Sequence, residues 1–374
     1  MSTTLLGAFV QHDIIFGGLT DNGEGYVAYG FGGGEKTSSF VFEEFHPLSA
    51  KGVRAIATYK SRTYVAGGFL HTKGSSAKHI AAFDGTGVFT LGSGVDGLVN
   101  DLAVFNNILI VGGVFTKVFG RPAKRLAWFN TGVLHTGGLA TWNGSDWDVL
   151  GSRPLPGIVT SLHTNGSIIY VGGRFNDEGR KNNLAMFNGK SWYSVCGLEL
   201  ADRHDTCGVS GGEVLAMATL KGDLYVGGSF SRAGGLQTPK IARWDGQAWF
   251  AMSALDGDVH ALAILGGRVF AAGMFGDKSV TKSQSSYLVR WQSGSWESLQ
   301  GGVGGPVFTM LAMDSCLYVG GLFDSVGGMD EISGIKVHNA ARWCFDRNGR
   351  VESKWSAVQW PNDQFGVCRV IKSS

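Results

Sequence analysis

Polar side chains recur at one position of a repeated apolar pattern, and this position is where chemistry is first expected. Each copy begins with a valine, and the two residues after it include Arg54, Asn100, Asp101, Thr160, His260 and Arg369. Two arginines near one opening could clamp a carboxylate, sulfate or phosphate, and Asn100 and Thr160 add neutral hydrogen-bonding groups. Asp101 and His260 could move protons as catalytic residues. The competing interpretation is that these residues only line a wet, polar channel.

A second set of candidates lies in a long connection, residues 196–212. It carries the polar run Asp202-Arg203-His204-Asp205, of which Arg203 and His204 are candidate ligand-binding residues. The spacing of its acidic, histidine and cysteine residues matches no strong zinc signature, so we predict no metal site and no cofactor. A solvated loop is the simpler interpretation of this run.

Copies of one repeat must position these residues. Seven doublets end apolar runs: Gly17-Gly18, Ala66-Gly67, Gly112-Gly113, Gly172-Gly173, Gly227-Gly228, Ala272-Gly273 and Gly320-Gly321. A valine lies 13 residues before the start of each of the last six doublets: Val53, Val99, Val159, Val214, Val259 and Val307. After the doublet comes an aromatic residue with an Asp-Gly or Asn-Gly turn and then a tryptophan, as in Trp244-Asp245-Gly246 and Trp249. Such turns between apolar runs predict hairpins, and hence four antiparallel strands per unit.

Units of four strands cannot bury both faces of their sheets alone, whereas radial packing of twisted sheets does so. We therefore predict an all-β fold, a seven-bladed β-propeller of four-stranded antiparallel blades. It forms one domain over residues 1–374, with insertions at 117–139 and 196–212. Residues 367–371 are expected to supply the inner strand of the blade begun by the N-terminus, so that N- and C-terminal strands close the ring in one blade. In the alternative, residues 5–10 form that inner strand themselves.

The composition excludes several classes of partner. The net charge is +2 and charged residues make up 17% of the 374, so no basic surface for nucleic acid is expected. No apolar run reaches the ~20 residues of a membrane span, and the first residues do not read as a signal peptide. Five cysteines without a dense framework fit a reducing, cytoplasmic compartment, although Cys196 and Cys207 could pair if the chain were secreted.

The repeat resembles the kelch repeat. It is more similar still to the β-propeller repeat of fungal cortical markers of cell polarity, in units such as Leu224–Phe230 followed by Ile241–Trp249, LYVGGSF and IARWDGQAW. The resemblance covers nearly the whole chain. It implies a propeller used for binding or display, located at the cell surface or secreted. It implies no catalytic residues, because none belong to the repeat.

Two functions are expected from this arrangement. In the first, long connections on one face of the disc and the mouth of the channel hold a protein, a glycan or an anionic ligand. In the second, the channel mouth is the active site of a lyase or hydrolase acting on an anionic small molecule or polysaccharide. There Arg54 and Arg369 bind the anion, and His260 and Asp101 transfer protons.

Two further motifs have a simpler interpretation than the one they suggest. Asn143-Gly-Ser145 and Asn165-Gly-Ser167 match the acceptor pattern for N-glycosylation. Asn-Gly at the tip of a hairpin explains both without a sugar.

Overall fold

The computed structural model describes residues 4–5, 13–19, 25–31, 53–68, 78–83, 88–92, 94–118, 121–122, 127–130, 133–136, 138–148, 150, 155, 157–175, 183–196, 207–275, 287–299, 301–313, 315–327, 334–337, 339–345 and 354–357. Every regular element in these ranges is a β-strand, and every strand pairing is antiparallel. The prediction of an all-β chain built from four-stranded antiparallel sheets is confirmed for this part of the protein.

Seven main sheets follow one another along the described chain, and they are numbered here in that order. Sheet 1 has three described strands, Thr4–Leu5, Asp13–Leu19 and Gly25–Phe31. Sheet 2 has four, Val53–Tyr59, Arg62–Gly67, Ile80–Phe83 and Val88–Thr90. Sheet 3 consists of Leu98–Phe105, Ile108–Val114, Leu139–Trp142 and Trp147–Asp148. Sheet 4 consists of Gly157–Thr164, Ile169–Phe175, Leu184–Phe187 and Trp192–Ser194.

Sheets 5 to 7 repeat the same four-stranded meander. Sheet 5 consists of Val214–Leu220, Asp223–Gly228, Ile241–Trp244 and Trp249–Ala251. Sheet 6 consists of Asp258–Leu265, Arg268–Met274, Leu288–Gln292 and Ser295–Ser298. Sheet 7 consists of Val307–Met313, Cys316–Gly321, Ala340–Cys344 and Lys354–Ala357. In each of the six four-stranded sheets, the strands pair in chain order.

Smaller strands form in the connections. Lys117–Val118 pairs with Arg121–Pro122, Ala127–Asn130 with Val133–Thr136, and Ser325–Val326 with Ile335–Lys336. Val209–Ser210 pairs with Arg232–Ala233, which pairs in turn with Leu236–Gln237. The insertion at 117–139 therefore contains a hairpin of its own, 127–136, and the third strand of sheet 3 begins after it.

The sheets pack against one another in chain order. The first strands of sheets 2 to 7 contact each other successively, and the second strand of sheet 1 contacts the first strand of sheet 2. Five apolar cores each join two neighbouring sheets, from sheets 2 and 3 to sheets 6 and 7. Sheets that bury both faces against their neighbours, with their first strands side by side, form a β-propeller fold.

A β-bulge explains the glycine that ends each doublet. In the first strand of sheets 2 to 7, the marker valine and the residue after it both lie opposite that one glycine; in sheet 6 these are Val259, His260 and Gly273. A Cβ on Gly273 would lie 1.9 Å from the carbonyl oxygen of Asp258. The corresponding glycines of sheets 3, 4, 5 and 7 meet the same kind of backbone oxygen at 2.0–2.1 Å.

In sheets 3, 4 and 5, the first residue of the doublet lies against a side chain from the next sheet. A Cβ on Gly112, Gly172 or Gly227 would lie 2.4–2.5 Å from Cγ1 of the marker valine of the following sheet. For Gly172 of sheet 4 that valine is Val214 of sheet 5. This position tolerates alanine in sheets 2 and 6, as Ala66 and Ala272, because only a side chain opposes it and not the backbone.

Tryptophans of the fourth strands tie each sheet to the one before it. The indole Nε1 atoms of Trp147, Trp192, Trp249 and Trp296 donate to main-chain carbonyl oxygens in the preceding unit, at 2.9–3.2 Å. Trp249, for example, donates to Val195 at 3.1 Å. Trp244, which lies opposite Trp249 on the neighbouring strand, is as buried but its Nε1 has no partner in the described part of the chain.

We predict that Trp249→Phe destabilises the protein more than Trp244→Phe does. The first substitution removes a buried hydrogen bond and leaves the carbonyl of Val195 unpaired, at a cost of about 1–2 kcal/mol beyond the lost packing. The second removes a buried donor that has no acceptor, so its packing loss is partly offset. Urea denaturation of the two variants measures the difference. Equal losses would contradict this role of Trp249.

Two disulfides are present. Cys196 pairs with Cys207, with Cα atoms 4.3 Å apart, which realises the pairing that the sequence left open. Cys316 and Cys344, directly opposite on adjacent strands of sheet 7, form a second bond that the sequence did not suggest. The second bond was not evident from the sequence because it depends on strand pairing, which places Cys316 opposite Cys344.

The N-terminal strand occupies the inner position of sheet 1. Leu5 lies opposite Gly18, as the marker valine of every later sheet lies opposite the second residue of its doublet. This pairing agrees with the alternative in which the N-terminal segment itself supplies the inner strand. Residues 367–371, the expected closing strand, lie outside the described residues.

Candidate functional site

In the first strands of sheets 2 to 7, the residue directly after the marker valine is the extra residue of the bulge. These six bulge residues are Arg54, Asn100, Thr160, Leu215, His260 and Phe308. All six have accessible surface, whereas the marker valines beside them from Val99 to Val307 are fully buried. Because the first strands lie side by side, the bulge residues form one layer along their free edges. The structure thus brings the candidates Arg54, Asn100, Thr160 and His260 into one layer.

Hydrogen bonds run along this layer from sheet to sheet. Arg54 Nη1 donates to Asn100 Oδ1 at 3.0 Å, and Asn100 Nδ2 donates to the carbonyl of Val159 at 2.7 Å. Thr160 Oγ1 donates to the carbonyl of Val214 in the next sheet. These contacts hold the polar side chains in place, so the layer is organised without a ligand.

Arg54 is the charged group of this layer. Its side chain is exposed, yet the surrounding protein removes part of its hydration and lowers the pKa of the guanidinium from its ordinary value. Within the described residues its hydrogen-bond partner is the amide oxygen of Asn100, and no carboxylate pairs with it. A partly desolvated guanidinium that pairs with no carboxylate of the described residues is suited to an anion.

His260 lies in the same layer with apolar neighbours. Its ring meets the edge of Phe308, with centroids 5.4 Å apart and planes at 83°. Its Nε2 is buried and has no hydrogen-bond partner in the part of the chain described here. Burial lowers the pKa of His260 from its ordinary value, and the nearby charge of Asp258 opposes this. The imidazole is therefore neutral near pH 7.

Asp101 does not share the layer. It is one residue past the bulge, and its carboxyl group spans two sheets, accepting from Leu102 N at 2.8 Å and from Leu162 N at 2.6 Å. Burial raises the pKa of Asp101 to about 7, although both backbone donors act to lower it. Both oxygens are occupied by backbone N–H groups, so this geometry gives the carboxyl a structural task between sheets 3 and 4.

The structure does not describe the three other predicted site residues. Arg369, Arg203 and His204 are outside the described residues, and their expected roles stay predictions. His79, which precedes the third strand of sheet 2, is buried with a φ of 62° and is part of the backbone framework there. Its carbonyl accepts from Gly67 N at 2.9 Å.

Sequence reasoning missed His163. Its Nε2 lies 3.0 Å from Thr219 Oγ1 of the next sheet, and its ring stacks on Tyr170 with centroids 6.4 Å apart. Burial lowers its pKa to about 4. The signal was present, because the equivalent residues of neighbouring first strands are alanines such as Ala103 and Ala218. Its neutral, packed state marks it as a contact between sheets 4 and 5.

The two ends of the sheets differ in chemistry. At the end where first strands begin and second strands finish, here termed the loop end, three apolar side chains are exposed: Val114 by 44%, Met274 by 54% and Leu322 by 43%. Each directly follows a doublet. The opposite end, the turn end, carries polar hairpin turns such as Asn106-Asn107, Asn165–Ser167 and Asn188–Ser191. The loop end is therefore the end suited to apolar contact.

Two kinds of site are not found in the described residues. They contain no group of three or more His, Cys, Asp or Glu placed to hold a metal ion. Nor does this part of the chain include a helix with the length and apolar character needed to cross a membrane.

Comparison with known proteins shows similarity in fold. No family model matches the chain, and no curated protein matches it. Among solved structures it is similar to the computationally designed Ika8 protein, with a TM-score of 0.51, 14% identity, and coverage of 97% of this chain and 92% of that one. The WD40 beta propeller domain of Doa1 gives a TM-score of 0.47 and 10% identity, over 85% of this chain and 90% of that one. YjhT gives a TM-score of 0.41 and 14% identity, over 81% of this chain and 96% of that one.

Proposed function

We propose that the chain is a seven-bladed, kelch-like β-propeller that binds a protein partner at its loop end. The exposure of Val114, Met274 and Leu322 at that one end carries the proposal. Single exposed apolar residues are ordinary, but these three stand at equivalent positions of three different sheets. Rigid strands hold them next to the connections in which propellers vary most.

Contacts of sheet 1 with two other sheets support a closed ring in this proposal. The first strand of sheet 1 contacts the second strand of sheet 7, and the second strand of sheet 1 contacts the first strand of sheet 2. Sheet 1 then stands between the last and the second sheets, and seven sheets surround one channel. In this proposal the whole chain is a single domain, and all loop ends lie on one face of the disc.

The two disulfides bear on where the partner is met. Disulfides persist in oxidising compartments and are rare in the cytosol. Cys196–Cys207 and Cys316–Cys344 therefore favour a secreted or cell-surface protein over the cytoplasmic location expected from the cysteine count. This agrees with the location implied by the resemblance to fungal cortical markers, and it makes a protein or glycan of the cell exterior the expected partner.

A second candidate function is binding of a small anion in the channel. The guanidinium of Arg54 favours it, because it donates to Asn100 and pairs with no carboxylate in the described part of the chain. Catalysis on such an anion is less well supported, because Asp101 is occupied by backbone N–H groups and His260 lies four sheets further along the chain, beside Phe308. The enzyme is retained only as the alternative.

A direct test compares variants of the loop end with a matched control. We predict that Met274→Glu and Leu322→Glu each reduce capture of extracellular partners at least tenfold, because a charge replaces an apolar contact. Tyr193→Glu is the control, since Tyr193 is 45% exposed on a fourth strand. Crosslinking followed by quantitative mass spectrometry measures the capture. If the control loses the same partners, the loop end is not the binding surface.

Titration of the wild-type protein and arginine variants with sulfate and acetate tests the second candidate function, anion binding. Binding that Arg54→Gln abolishes and Arg62→Gln preserves would support an anion site in the channel. Arg62 is a suitable control because it is an accessible arginine that stacks on Phe89, 4.3 Å from the ring centroid, away from the bulge layer.

A further inference from the structure

Two asparagines at the turn end match the acceptor pattern for an N-linked sugar. Asn143-Gly-Ser145 and Asn165-Gly-Ser167 are the two places in the sequence where asparagine is followed, two residues on, by serine or threonine. Both asparagines and both serines are exposed on hairpin turns of adjacent sheets, 3 and 4. An N-linked glycan is bulky and needs a surface position, which both asparagines have.

The turn geometry engages the Oδ1 atom of each asparagine in hydrogen bonds and leaves its Nδ2 atom without one in the described residues. Asn143 Oδ1 accepts from Ser145 N at 2.9 Å and from Asp146 N at 2.8 Å, and the Ser145 hydroxyl donates to the same oxygen at 2.9 Å. Asn165 Oδ1 likewise accepts from Ser167 N at 3.1 Å. Within the described residues neither Nδ2 atom donates a hydrogen bond. The nitrogen that would carry a sugar is therefore accessible.

A third hairpin turn, at Asn188, has the same geometry but lacks the acceptor pattern. Asn188 takes the same conformation, with its Oδ1 accepting from Lys190 N at 3.0 Å and from Ser191 N at 2.9 Å. Lysine stands where the acceptor pattern needs a hydroxyl residue. Its Nδ2 also donates to the Tyr193 hydroxyl at 3.3 Å. Hairpin geometry thus explains asparagine and glycine at these turns, but it does not require the serines.

The disulfides supply the independent observation. A chain that forms Cys196–Cys207 and Cys316–Cys344 passes through an oxidising compartment, and in eukaryotic cells asparagine is glycosylated in the same compartment. The sequence alone made a bare hairpin tip the simpler interpretation. The disulfides favour the glycosylated asparagine over the bare hairpin tip.

We propose that Asn143 and Asn165 each carry an N-linked glycan. In the reaction, Nδ2 attacks C1 of an oligosaccharide carried on a lipid pyrophosphate. The new bond joins Nδ2 to C1, the bond between C1 and the pyrophosphate oxygen breaks, the amide loses one proton, and the lipid pyrophosphate leaves. Both glycans stand at the turn end, so the loop end stays uncovered.

The experiment uses the full chain purified from the cells that produce it. Peptide N-glycosidase in H2 18O converts each glycosylated asparagine to aspartate and labels it with 18O. We expect label at Asn143 and Asn165 and none at Asn188. A folded protein with both disulfides formed and both asparagines unlabelled would overturn the proposal.

Variants made in a secreting eukaryotic host test the role of the serines. Asn143→Gln and Asn165→Gln should each remove one glycan, seen as one fewer step on partial deglycosylation. Lys190→Ser should add a step, because it completes the acceptor pattern on the same turn. Ser145→Ala keeps the turn but removes the hydroxyl, and loss of its glycan separates acceptor chemistry from exposure. A glycan that remains on Ser145→Ala would contradict this account.

Discussion

Gly273→Ala is expected to lower the free energy of unfolding by roughly 2–4 kcal/mol, a large effect for the addition of one methyl group. The added Cβ would lie 1.9 Å from the carbonyl oxygen of Asp258, so the bulge of sheet 6 must open or shift. Main-chain atoms cannot rotate away as a side chain can. Chemical denaturation followed by circular dichroism measures the loss.

The neighbouring position is the matched control. Ala272→Gly, in the same doublet, removes a methyl group and adds backbone freedom, at a cost of about 1 kcal/mol. Ala272 shares an apolar core with Val307 of sheet 7, so side chains and not main-chain atoms surround the change. If the two substitutions have equal effects, the bulge does not dictate the second glycine.

Asp101 gives the second large effect, a loss of stability as the pH rises. Burial raises the folded pKa to about 7, above the unfolded value of ~3.9. The folded protein therefore keeps a proton that the unfolded chain releases. The stabilising contribution is complete below about pH 4 and is lost as the pH approaches 7, with a total on the order of 4 kcal/mol.

Comparison with Asp101→Asn isolates this contribution. The variant cannot titrate at this position, so the difference in unfolding free energy between it and the wild type should change between about pH 4 and pH 7 and stay constant above about pH 8. Urea denaturation across this range measures it. Parallel curves for the two proteins would show that Asp101 titrates normally and that its two N–H donors outweigh burial.

The fold could be predicted because its signals are local and repeated. The spacing from marker valine to doublet, six times the same, reflects one hairpin whose two strands pair at that register. The sequence could not reveal that the valine of one unit fills the space above the doublet of the unit before it. That contact crosses units, and spacing within a unit does not report it.

The candidate site was only partly predictable for a related reason. Arg54, Asn100, Thr160 and His260 stand out as polar residues at one repeated position, and the bulge places them in one layer. Asp101 is adjacent in sequence to Asn100, but the bulge turns consecutive residues to different surroundings. A one-residue change of direction decides between the bulge layer and the sheet interface, and composition alone cannot resolve it.

The packing of the marker valines Val159, Val214 and Val259 against the preceding doublets has a consequence for the evolution of the chain. Because successive junctions use the same pair of surfaces, an unequal crossover between repeats that removes or duplicates one whole unit creates no junction of a new kind. Side-chain chemistry then places little constraint on copy number, and the wedge angle between sheets selects how many units complete a circle.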